Sequence, residues 1–330
     1  MKQCVRELLL HRDKTIPILS FPSTRLLGVT VGELISSPQT QAAGMEAVVK
    51  RCPVGAALNM MDLSVEAQAF GCDVRFTDDE VPTVTRGIIE DIADVPGIVI
   101  PQVGTARTGI YIEGVRLAKQ RIRDVPVFCG VIGPYSLAGR LLDMAQLMMA
   151  CYDEPELVHE LLEKCTAFIT AYLLAFKQAG ADGVIMAEPA AGLLSPELCG
   201  EFSSGYVRAV REAADGEDFI FCYHNCAGGT VACAQSIAGT GADIYHFGNA
   251  VRLSEIIPLM PADSIVTGNV DPVMFKNGTP ADIRACVTDI YNSCKQYPNF
   301  MLSSGCDIPA CAAWENIDAY FEAVRGLVGQ

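Results

Sequence analysis

The sequence predicts an α/β fold, a (β/α)8 TIM barrel that takes up residues 1–330 as one domain, and three observations predict it. Apolar runs of strand length alternate with longer stretches of helical period from one end of the chain to the other. The runs are almost continuously apolar, which is the pattern of parallel strands covered by helices on both faces. The polar residues of interest gather at or just past the C-terminal ends of these runs, where a barrel assembles its site from the loops that follow the strands.

In chain order the strand candidates are IPILSF (16–21), GAALNMM (55–61), VPVFCGVIG (125–133), DGVIMAE (182–188), FIFCYH (219–224), DIYHFG (243–248), SIVTGN (264–269) and NFMLSSG (299–305). VRF (74–76) and GIVI (97–100) are shorter and read as a side hairpin or edge pieces. The helices between them carry start and stop signals. Ser195 with Pro196 and Glu197, and Thr279 with Pro280, combine an N-cap oxygen with proline at the first helical position. DEPELVHELLEKCTAFITAYLLAFKQAGA is a long amphipathic helix closed by Gly180. The Met-rich stretch LLDMAQLMMACY (141–152) has helical spacing and suits either a core face or an adaptable apolar rim. No Gly/Ser linker, charge block or low-complexity segment divides the chain. An open doubly wound sheet is the rival arrangement, and no G-x-G-x-x-G follows the first strand to support it.

Half of the residues are apolar, enough for a sizeable core without disulfides. A formal charge of −15, from 24 basic and 39 acidic residues, argues against a nucleic-acid or anionic-membrane surface, since both reward clustered Lys and Arg. The N-terminal MKQCVRELLLHRDK has only three consecutive leucines between charges, too few for a signal peptide or a membrane span, and a cytoplasmic protein is expected. Most of the 14 cysteines sit within helical or strand patterns, among them Cys4, Cys165, Cys286 and Cys294, and are expected to behave as small hydrophobes. So many thiols suit the reducing cytoplasm of an anaerobe.

Some of these cysteines can do chemistry. Residues i and i+2 of an extended segment face the same way, so His224 and Cys226 in YHNCAGG can grip one ion. Cys233 falls in a helix and does not complete the set. Cys306, in SSGCDIP, follows the last strand as Cys226 follows the fifth, and a closed barrel brings those ends to one mouth. One imidazole and two thiolates leave a zinc ion one open position. Two thiolates also neutralise the dication, which weakens it as an activator of water yet still lowers the pKa of a bound thiol, so alkyl transfer to sulfur fits better than hydrolysis. Glu188, at the end of another strand, would be a fourth ligand displaced by substrate, an outer base, or the cap of its turn.

Several stretches are familiar at this point. YHNCAGG (223–229), TGNVDP (267–272), SSGCDIPACAAWENIDAYFEAVR (303–325) and MMDLSVEAQAFGCDVRF (60–76) resemble the uroporphyrinogen decarboxylase superfamily, most of all its corrinoid-dependent methylcobamide:coenzyme M methyltransferase branch. The resemblance implies a barrel whose zinc is held by His224, Cys226 and Cys306. It also implies methyl transfer from a methyl-Co(III) corrinoid presented by a partner protein to a small acceptor, coenzyme M, another thiol or tetrahydrofolate. Within the same superfamily, metal-free decarboxylases of tetrapyrroles carry an arginine-rich segment after the first strand. Here FPSTRLLGVTVGELISSP holds Arg25 as its one basic residue, which leaves a polycarboxylate with too little positive charge. A barrel that merely stores zinc or binds a corrinoid partner is the non-catalytic alternative.

The remaining candidates have double readings. Asp62 would orient substrate, hydrogen-bond a metal-bound His224, or cap the helix LSVEAQAF. His246, which ends an apolar strand in YHFGNA (245–250), is a substrate contact at the mouth or a satisfied core histidine. Asn269 and Asp271 shape the loop GNVDP, Asn269 with the option of touching substrate and Asp271 as a cap before Pro272.

Overall fold

Seven of the eight long apolar runs form one parallel sheet in the computed structural model, which describes residues 1–328. Its strands are β1 (Ala57–Leu58), β4 (Val127–Ile132), β5 (Gly183–Ala187), β6 (Ile220–Asn225), β7 (Ile244–Phe247), β8 (Ile265–Val270) and β9 (Phe300–Ser304), neighbours in that order. β2 (Asp73–Arg75) and β3 (Thr83–Arg86) make a separate antiparallel hairpin. VRF therefore does belong to a side hairpin, but its partner is Thr83–Arg86 and not GIVI, which follows a capped 3-10 turn at Ile92–Gly97.

The two-residue period of the strands sorts their side chains into two layers. Leu58, Phe128, Ile185, Cys222, Ile244, Ile265 and Met301 point inward and form one apolar cluster together with Ile16 and Ile18. Val127, Val184, Phe221, Tyr245, Val266 and Leu302 point outward, into the layer shared with the helices. Val5 and Leu8 of the helix Gln3–Leu10 join the inner cluster, and Lys2 donates to Phe219 O at the start of β6, so this helix covers the N-terminal end of the sheet.

The expected eighth strand, 16–21, forms no ladder. Its chain lies between the residues just before β1 and the end of β9, and its bonds there are divided between backbone, with Ile308 N–H donating to Ile18 O (2.9 Å), and serine side chains. Gly55 N–H donates to Thr15 O (2.7 Å), Ile18 N–H to Ser304 Oγ (2.9 Å) and Ser303 Oγ to Ile16 O (2.9 Å). Pro17 has no N–H to offer a neighbour, and two serine hydroxyls stand where a backbone ladder would run. The fold is thus a TIM-barrel-like seven-stranded sheet with a side-chain-bonded seam at its eighth position.

The helix signals act as expected. Ser195 Oγ accepts from Leu198 N–H, and Thr279 forms a capping box with Asp282; caps of this kind contribute about 1 kcal/mol each. The helix from Pro155 to Gln178 buries Leu161, Cys165, Phe168 and Phe176, and Gly180 at φ +100° ends it. In the Met-rich stretch Leu147 is buried while Met149 is exposed, so only one side of it is core. Among the described residues, no helix is long and apolar enough to cross a membrane.

Candidate metal centre

His224 and Cys226 flank the last residue of β6, and Cys306 follows β9 by two residues. One ligand atom from each lies within 4.8 Å of the other two. Strand parity explains the first pair: Ile220, Cys222 and His224 share the inner face, and Cys226 continues it. Two glycines explain how Cys306 reaches them across β7 and β8. A Cβ on Gly248 would collide with Cys226, 2.6 Å from its Cα, and one on Gly305 would sit 2.9 Å from Asn249 N. Only bare backbone lets the loops after β6, β7 and β9 converge this closely.

The imidazole is buried and the two thiols are half-buried, so the sulfurs occupy the solvent side of the cluster. Cys306 Sγ lies 3.5 Å from His224 Nε2. A hydrogen bond from the Cys306 thiol holds Cys226 down to about 7 and, with burial, pushes Cys306 itself up to about 12. One proton shared between two sulfurs is the expression of this split, and it is a proton that a cation can replace.

Asn225, between the two β6 ligands, points the opposite way and ties down the turn that carries Cys226. Its amide donates to Glu188 O (2.8 Å) and Tyr223 Oη (3.2 Å), and its Oδ1 accepts from Ala227 N–H (3.0 Å) and Thr230 Oγ1 (2.8 Å). His246 is the register partner of His224, and their Nδ1 atoms are 2.7 Å apart. Burial, then the neighbouring His224, holds His246 well below the ordinary histidine value. Its Nε2 reaches Ser303 Oγ at 3.0 Å. Half-buried Asp307, next to Cys306, has Ser20 Oγ at 3.4 Å, and burial followed by the cysteine raises its carboxyl well above the usual range.

The other candidates lie apart from this cluster. Glu188 follows Ala187, an inward residue, so parity turns its side chain outward, toward the helix Pro134–Leu141. There its oxygens accept from Tyr135 N–H (3.0 Å), Ser136 N–H (2.7 Å) and the Ser136 hydroxyl. Burial carries it up to about 7 against those bonds. The expectation of Glu188 as a fourth ligand is not met, because the helix terminus already holds both of its oxygens.

Asp62 accepts from Ser64 N–H (3.0 Å), Ser64 Oγ (2.6 Å), Tyr111 Oη (2.8 Å) and Arg107. The structure therefore corrects the expectation that it orients His224: the residue against that imidazole is His246. Asn269 donates to Gly248 O and Val251 O and pins the loop after β7, and Asp271 caps Val273 N–H as its position suggested. The sequence reading missed Asn225 and Arg107. Asn225 had a signal in the Thr230 placed to meet it. Arg107 had none, since its partners come from a distant loop.

Comparison with known proteins identifies the family and the fold. Methylcobamide:CoM methyltransferase MtbA of Methanosarcina mazei is 26% identical over 274 residues, 80% of this chain and 77% of its own length. The uroporphyrinogen decarboxylase of Coxiella burnetii is 25% identical over 322 residues, 93% of this chain and 87% of its own. A solved structure, a methyltransferase from Methanosarcina mazei, superposes with a TM-score of 0.85 at 20% identity over 99% of both chains, which shows a shared fold. The family model for uroporphyrinogen decarboxylase (URO-D) matches residues 19–327, nearly the whole described chain, and the protein belongs to that family.

Proposed function

We propose that this protein is a zinc-dependent methyltransferase that moves a methyl group from a methyl-Co(III) corrinoid, presented by a partner protein, to a small acceptor thiol. The observation that carries the reading is the clustering of one His224 ring nitrogen and the sulfurs of Cys226 and Cys306 within 4.8 Å of one another, with Nε2 at 3.5 Å from Cys306 Sγ. The chemistry of the donor set fits the ion: one imidazole and two thiols suit zinc and leave a fourth position open. A zinc ion held there supplies a lowered pKa to an incoming thiol while leaving its sulfur electron-rich.

The chain supplies the rest. His224, buried and hydrogen-bonded through Nδ1, is a fixed ligand. Cys226 and Cys306 give up their shared proton and leave the solvent side free for the acceptor. Neither thiol lies deep in the protein, so a bulky donor has access from the rim. The MtbA relatives, named for methyl transfer from methylcobamide to CoM, support this reaction class. A thiol acceptor is favoured over tetrahydrofolate because an amine nucleophile gains nothing from thiol activation.

Decarboxylation of a tetrapyrrole is the second reading, supported by the decarboxylases among the relatives. Arg25 speaks against it. It is the one basic residue of 21–38, and its guanidinium is turned to the carbonyls of Ala312 (2.9 Å) and Cys311 (3.5 Å).

Metal analysis of the purified protein should give about one zinc per chain, lost in Cys226→Ser and in Cys306→Ser. Methylcobalamin should lose its absorbance when coenzyme M or another thiol is offered, and not with tetrahydrofolate. Zinc content unchanged by both substitutions would remove the reading, and carbon dioxide release from uroporphyrinogen in the presence of a chelator would favour the second.

A further inference from the structure

We infer that His246 and Ser303 are positioning residues that lock His224 into one tautomer, with its proton on Nδ1 and its Nε2 lone pair bare toward Cys306 and Cys226. The inference rests on the reading of these three residues as a metal centre. It adds how the fold selects the nitrogen that faces the sulfurs.

The assignment starts at the seam of the sheet. Ile16 O can only accept, so the Ser303 hydroxyl, 2.9 Å away, spends its hydrogen there. Ser303 Oγ then accepts from whatever lies at 3.0 Å, which is His246 Nε2. His246 is therefore protonated on Nε2, and one hydrogen lies between its Nδ1 and that of His224, 2.7 Å apart. A second contact decides which ring holds it: His224 Nδ1 is also 3.3 Å from His246 O, a group that can only accept, so the hydrogen sits on His224 Nδ1 and His246 Nδ1 accepts it. The reverse order would leave Ile16 O without its hydroxyl and set His224 Nδ1 lone pair against carbonyl lone pair.

This relay gives the irregular seam a purpose. Had 16–21 paired with β9 as a regular ladder, Ile16 O would face a backbone N–H and Ser303 would be free to rotate. By bonding through serines, the same segment that fills the eighth position also fixes the metal-facing nitrogen. Ligating histidines commonly give their second N–H to a carboxylate or carbonyl. Here a second histidine takes that place, made possible by the His224–His246 register across β6 and β7.

The chain has only four histidines, so nitrogen-15 NMR of histidine-labelled, metal-free protein can read the tautomers directly. We expect His224 protonated on Nδ1 and His246 on Nε2; His224 protonated on Nε2 would overturn the relay. Zinc affinity, measured by competition with a chromophoric chelator, should weaken about 10–100-fold in His246→Leu and Ser303→Ala. It should largely return in His246→Asn, whose Oδ1 occupies the acceptor position. The sulfur-to-metal charge-transfer bands of the cobalt-substituted variants should persist, since both sulfurs remain. Affinities within twofold of the parent in His246→Leu and Ser303→Ala would also overturn the proposal. A parent protein that binds no zinc yet shows the expected tautomers would sink the metal reading and leave the relay standing. Normal zinc binding with reversed tautomers would do the opposite.

Discussion

Two polar clusters stand on the C-terminal rim of the sheet, and they are built on opposite principles. Around Asp62 the account is closed: the carboxylate takes four hydrogen bonds, and Arg107 passes its remaining donors to Gln68 Oε1 (2.7 Å) and Ser64 Oγ (2.7 Å). Around His224, Cys226 and Cys306 it is open: one ligand atom of each lies within 4.8 Å of the other two, and Cys306 Sγ meets His224 Nε2 at 3.5 Å instead of any group outside the three. Position on the rim is therefore a poor sign of chemistry by itself. Donor atoms held together without a partner of their own are the better sign, since buried polar groups otherwise find partners.

The comparison can be broken most forcefully at Arg107. Arg107→Met strands the Asp62 carboxylate, which is almost completely buried. Removing one partner of such a pair costs about 3–5 kcal/mol, which denaturant titration would reveal. Zinc affinity should stay within about twofold, because no bond of the cluster reaches the three ligands. Asp62→Asn with Arg107→Met should cost less than the sum of the single changes. If Arg107→Met instead abolished methyl transfer at full stability, the Asp62 cluster would be a substrate site and the contrast would fall.

The same two clusters show what a sequence discloses. His224, Cys226 and Cys306 are legible because strand parity and strand-end position are both one-dimensional facts. The seven sheet strands are legible for the same reason, being apolar runs between helical periods. The eighth run, 16–21, misleads because its apolarity is real while its partners are serine side chains that only the fold brings near. His246 is visible as a strand-end histidine, but its contact with His224 depends on β6–β7 register. Glu188 shows the limit of parity: one residue past an inward alanine, it faces the helices. Arg107 meets Asp62 over 45 residues of chain, and no local pattern encodes that closure.

A second, smaller effect comes from pH. Glu66 lies beneath the Asp62 cluster, completely buried, with its Oε1 accepting from Ile132 N–H at 3.0 Å. Burial raises it from 4.5 to about 7. The folded protein thus keeps this proton over a range where the unfolded chain has lost it, so stability falls as pH rises from about 4.5 through 7 and levels off above. At about 1.4 kcal/mol per pH unit, the total is on the order of 3 kcal/mol. Glu66→Gln, which retains the acceptor for Ile132, should remove its share of that slope and leave the share of Glu188, which burial also carries to about 7. An unchanged slope in the variant would show that Glu66 is ionised through the range, and that the floor of this cluster is wetter than its burial indicates.

The smallest test asks what holds Arg107 in place. Its guanidinium lies 5.0 Å from the ring centre of Phe76, in the hairpin loop after β2, and Phe76 is 46% exposed. A cation over an exposed ring contributes about 0.5–1 kcal/mol, well below the ion pair beneath it. Phe76→Leu should therefore lower stability by no more than about 1 kcal/mol and leave zinc affinity unchanged. A loss comparable to that of Arg107→Met would mean that the ring shields the Asp62–Arg107 pair from water. The cluster would then owe its closure to a lid and not to its own hydrogen bonds, which would bring it nearer in kind to the open site beside it.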